Sequence, residues 1–126
     1  VVLKSRSMVG VLLAIGATHM SRKKWPEGAR LLGEAQKRYP DSPAVAYISA
    51  RMQQDQGKHR EAVAIFEQVL VKMPQSHVHY RLGKSLQAMG EKARATAAFE
   101  KALSFKAGLA KTQRADAEEQ LKLLRS

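Results

Sequence analysis

Apolar residues return along this chain at intervals of three and four, the period of a helix with one buried stripe. Ala62, Ile65, Phe66, Val69 and Leu70 follow i, i+3, i+4, i+7, i+8, and Ala95, Ala98, Phe99, Ala102 and Leu103 repeat the set thirty-three residues later. Leu31, Leu32 and Ala35, closed by Tyr39, carry a shorter copy. The residues between the stripes supply starts and stops. Ser42 before Pro43 begins a helix, because serine caps and proline fits the first helical position. Ser76 is placed to cap the next one. Gly57 and Gly90 suit the left-handed residue that ends a helix. Pro40 and Pro74 end helices because the ring clashes with the preceding turn, and Pro26 opens one after Trp25. The pattern predicts helices near 8–22, 26–39, 43–56, 59–72, 76–89, 92–105 and 110–124, with no competing strand pattern.

A longer period lies over the short one. Ala62, Phe66 and Pro74 are preceded by Gly28, Leu32 and Pro40 and followed by Ala95, Phe99 and Ala107. Small residues also recur twelve apart: Gly16 and Gly28, Ala50 and Ala62, Gly83 and Ala95. Across a short turn, that spacing brings two small side chains face to face and lets paired helices approach closely. The pattern Leu82-Gly83, Ala95, Phe99, Ala102 resembles the tetratricopeptide repeat, as do Ala50, Gly57, Ala62, Phe66 and Pro74. The resemblance covers residues 9–109, as repeats near 9–42, 43–75 and 76–109. It implies an all-α fold, a right-handed superhelix of antiparallel helix pairs (an α-α solenoid). The whole chain, 1–126, reads as one domain of three repeats plus a C-terminal capping helix.

The chain departs from the family pattern in places. Repeat aromatics of the first helices are largely missing, and Gly28 and Leu32 stand where an alanine and an aromatic are usual. Ala107 replaces the last proline. The stripe Val45, Ile48, Met52 runs one residue ahead of the register set by Ala50, which leaves that helix's rotation open by about 100°. After Gly108 the period fails. Ala110, Ala117, Leu121 and Leu124 form a narrower stripe, with Asp116, Glu118 and Glu119 on other faces. This reads as a terminal helix over residues 110–125 that covers the last repeat; the alternative is the first helix of a fourth repeat.

Charge adds a second constraint. The 126 residues hold 22 Lys and Arg against 11 Asp and Glu, a formal net charge of +11. Such a balance attracts acidic proteins, nucleic acid or anionic lipid, although cations at helix C-termini also offset the macrodipole without any partner. There is no cysteine, which removes thiol catalysis and cysteine-bound zinc. The chain begins at Val1 rather than Met, as a fragment or a processed product would. Residues 8–17, MVGVLLAIGA, read as a first buried repeat helix or as a signal-peptide core; they are too short for a membrane span of about 20 residues.

In the resembled family the first helices line a concave groove that holds a peptide. The register then places Tyr47, Arg51 and Gln54 on that face of the second repeat and Tyr80, Lys84 and Gln87 on that of the third, each thirty-three residues from its counterpart. His77 and Arg81 lie beside them, and the first repeat offers Leu13, Ala17 and Met20. Aromatic, cation and amide together suit a peptide with acidic and apolar parts. A family subset grips a C-terminal carboxylate with lysines, asparagines and an arginine. The matching positions here are Leu13, Ala17, Ile48, His77 and Arg81, and only Arg81 fits. His77 and His79 point apart on a helix, and no phosphate loop, nucleophile motif or carboxylate pair stands out. The sequence therefore calls for no cofactor, metal or catalytic residue. It implies a protein-binding scaffold, with nucleic-acid binding through the positive charge as the alternative. Its style resembles repeat modules of bacterial assembly, secretion and exopolysaccharide-export proteins, in the cytoplasm or the cell envelope.

Overall fold

The computed structural model describes residues 25–126. The expected helix over 8–22, and with it Leu13, Ala17 and Met20, lies outside the described residues. Six helices follow in order: α1 (Trp25–Arg38), α2 (Pro43–Asp55), α3 (His59–Lys72), α4 (Ser76–Ala88), α5 (Lys92–Ser104) and α6 (Lys111–Arg125). There is no strand among the described residues. The observed ends fall within about a residue of those the pattern predicts. The chain divides within α3 into two compact units, one ending at Ile65 and the other running from Phe66 to Ser126.

In the first unit α1 packs on α2. Ser42 caps α2 as expected: its Oγ accepts from the Val45 amide at 3.3 Å, with Pro43 in the first turn. The open question about the rotation of α2 has a physical answer. Val45, Ile48 and Met52 are buried, and so are Tyr47 and Ala50. The helix is covered on more than one side, so both stripes are real.

Both turns after first helices use the same device. Gly57 takes φ +82° and Gly90 φ +79°. The Lys58 amide donates to the Gln53 carbonyl at 2.8 Å and Gly57 to Gln54 at 3.0 Å; thirty-three residues on, Glu91 donates to Leu86 at 2.9 Å and Gly90 to Gln87 at 3.0 Å. This is the Schellman closure, in which two orphan carbonyls are satisfied while the chain reverses. The identical pairing shows that the sequence period is a structural one.

In the second unit α4 and α5 form a tight hairpin, and α6 packs on α5. Phe66 and Phe99 are fully buried, as are Val78, Ala95 and Ala102. Gly83 explains how close α4 and α5 come. A Cβ placed there would lie 2.9 Å from Phe99 Cε1 and 3.0 Å from Cδ1. The ring occupies the space a side chain would need. Ser76 departs from its expected role. Gln75 is the residue before α4 and makes no side-chain cap, while Ser76 is buried in the first turn. Its Oγ donates instead to the Ala107 carbonyl at 3.1 Å, tying the α5–α6 connection to the start of α4. That carbonyl competes successfully for the hydroxyl.

Truncating Phe66 or Phe99 to alanine should cost about 3–5 kcal/mol in urea unfolding. Gly83→Ala should also destabilise, because overpacking costs about 1–3 kcal/mol and exceeds the roughly 1 kcal/mol that alanine's helix propensity offers. Around Gly33, inside α1, no described residue lies within 4 Å of the missing Cβ. Gly33→Ala should therefore stabilise by up to about 1 kcal/mol, and equal effects at the two glycines would contradict the close packing of α4 on α5.

Candidate partner-binding face

On α2, Tyr47, Arg51 and Gln54 share one stripe. Tyr47 is buried, with Arg51 and Gln54 half-buried beside it. The Arg51 guanidinium carbon lies 5.9 Å from the centre of the Tyr47 ring, within reach of the ring's negative face. An aromatic floor thus steadies the cation.

On α4 the equivalent residues are more fully engaged. The Tyr80 ring is buried and tilts against Phe99, centroids 6.1 Å apart at 59°. Its hydroxyl donates to Asp116 Oδ2 at 2.5 Å, and Lys84 Nζ donates to the same oxygen at 3.0 Å. The other carboxylate oxygen accepts from Gln120 Nε2 at 3.0 Å. Gln120 Oε1 in turn accepts from Gln87 Nε2 at 2.7 Å. Tyr80, Lys84 and Gln87 therefore all meet α6 through one polar network. His77 and Arg81, also on α4, are half-buried.

The electrostatics follow from this geometry. Burial and the bond to Asp116 push the Tyr80 hydroxyl well above its ordinary pKa. Burial would raise Asp116, but the bonds from Tyr80, Gln120 and Lys84 and the Lys84 charge outweigh it and hold the carboxyl below the usual range. At the N-terminal end of α4, the His79 ring sits 5.9 Å from that of Phe105. Burial and, to a lesser degree, the Lys101 charge lower its pKa below the ordinary imidazole value. Among the described residues no three His, Asp or Glu side chains gather to hold a metal ion, and no helix is long and apolar enough to cross a membrane.

Asp116 and Gln120 were not recognised from the sequence, which set Asp116 on a face other than the apolar stripe of its helix. A signal existed. Ala117 stands thirty-four residues after Gly83 and is fully buried, as Ala50 is. The repeat phase continues into α6 with one extra residue, and Asp116 is the neighbour of that small position. Of the fifteen residues of α6 only Ala117 and Leu121 are buried. Their apolar anchoring amounts to about 2–4 kcal/mol. Polar attachments add to this: the network to α4, Arg114 Nη2 donating to the Phe105 carbonyl at 2.9 Å, and Arg125 paired with Glu100.

Two tetratricopeptide repeat models match the chain, one over residues 44–76 and one over 76–108. Together they span more than half of the 126 residues. The chain belongs to the tetratricopeptide repeat family. A solved structure, the Sgt2 tetratricopeptide repeat domain from Aspergillus fumigatus, aligns with a TM-score of 0.75 at 23% identity, covering 93% of this chain and 79% of that one. At that identity the likeness speaks to the fold. No curated protein matches the chain. As a tetratricopeptide repeat protein it is a scaffold for protein–protein interaction.

Asp116→Asn should lower stability at neutral pH by about 1 kcal/mol, the scale of a partly exposed charged hydrogen bond. The folded pKa lies below the unfolded one, near 3.9. The carboxylate's contribution is therefore complete above roughly pH 5 and fades as pH falls through about 4. Unfolding midpoints of the two proteins should converge in acid.

Proposed function

We propose that the chain is a non-enzymatic scaffold that binds partly acidic peptide or protein segments through the Tyr47–Arg51–Gln54 stripe of α2 and the Tyr80–Lys84–Gln87 stripe of α4. We place it within a larger bacterial assembly, secretion or exopolysaccharide-export protein, on the likeness of its repeats to such modules. One observation carries the binding reading. The aromatic–cation–amide set occurs on α2 and again on α4, and on α4 its tyrosine and lysine already hold a carboxylate. A face that satisfies Asp116 has the donors an acidic partner requires. The formal charge of +11 favours encounter with such a partner over long range.

Arg51 is the cleaner residue to test. Tyr47 and Tyr80 are buried, so truncating them disturbs packing, and reversing Lys84 would set two carboxylates against each other. Selection from displayed random peptides should enrich sequences that mix acidic and apolar residues. Arg51→Glu should then slow association with those peptides and flatten its salt dependence. An unchanged rate would remove this face from the interaction. Preference for a labelled single-stranded oligonucleotide over every peptide, with a steep salt slope, would favour nucleic acid instead.

A further inference from the structure

We propose that α6 is a displaceable occupant of the face on α4, and that it stands in for an acidic helix of the partner. This rests on the reading that Tyr80, Lys84 and Gln87 take a partner. It adds what that partner presents: a carboxylate and, four residues on, a side-chain amide. Asp116 and Gln120 have that spacing and rise from one stripe of α6. Tyr80 and Lys84 converge on the carboxylate, and Gln87 reaches the amide. The donors of α4 thus display the ligand chemistry they select.

The attachment of α6 suits exchange. The side chains of the Lys84–Asp116 pair remain 39% and 28% exposed, so water reaches the contact and an incoming carboxylate can replace the departing one. Swapping one set of hydrogen bonds for an equivalent set changes little in net energy. The α4–α5 joint is different, closed by a fully buried Phe99 against Gly83. Of the elements around α4, α6 belongs to the weakly held end of the stability range. While it is docked, partner affinity at Lys84 is reduced by the fraction of molecules in which it is open.

The probe is a fluorescein-labelled peptide of residues 111–125, added to the full chain and followed by anisotropy. It should bind the wild-type chain weakly and bind the Asp116→Lys chain roughly tenfold more tightly, because lysine at that position repels Lys84 and frees the face. The chain has no cysteine, so Gln87→Cys with Gln120→Cys creates its one thiol pair. Bridging the two thiols with a short bifunctional reagent should abolish peptide binding. Capping each with iodoacetamide, which restores a side-chain amide, should allow it. Equal affinity in the bridged and capped proteins, or no gain in the Asp116→Lys chain, overturns the proposal. Hydrogen exchange of the wild-type chain gives an independent reading. Amides of α6 should exchange faster than those of α4 and α5; exchange of all three only through global unfolding would make α6 a permanent part of the fold. That result would leave any binding at Arg51 untouched.

Discussion

The contact between Gly83 and the ring of Phe99 is the constraint on which the second unit depends. A helix pair can close to this distance only where one partner offers no side chain, and the aromatic then fills the space released. Ala95, opposite Gly83 in the hairpin, is fully buried for the same reason. The same ring also meets Tyr80, one helical turn before Gly83, at 6.1 Å between centroids, and so steadies the Tyr80 side chain. A polar group that meets α6 is thus aimed by the packed interior, and Schellman closure at Gly90 sets where α5 begins.

Charge acts more locally here than a formal +11 suggests. Lys84 faces Asp116, Arg94 is shared between Glu67 and Glu91, and Arg125 meets Glu100. The exposed pairs contribute little to stability, but each removes a cation from the field a partner would sense. At the half-buried Asp116 the same pairing has a larger consequence, because three donors converge on one carboxylate. Positive charge and binding face are therefore related through particular neighbours rather than through the total.

Most of the fold could be read from the residues. Small, aromatic and proline positions in phase located the hairpins, and the helix ends fell close to where Ser42, Pro43, Gly57 and Gly90 put them. These signals are local: each concerns backbone conformation or one helix face, which a few consecutive residues determine. The two stripes of α2 looked contradictory only because a helix covered on several sides needs more than one.

What sequence alone determined is the repeat, the family and the register that sets Tyr47, Arg51 and Gln54 along one helix and Tyr80, Lys84 and Gln87 along another. What only tertiary structure decided is which of these groups already have company. Ser76 turns to the Ala107 carbonyl rather than capping its own helix, and Asp116 turns inward to Tyr80 and Lys84 rather than outward to water. Both choices depend on groups more than thirty residues away along the chain. A helix pattern states which face is apolar, but a polar side chain goes wherever folding brings a donor or acceptor, and that is settled by packing.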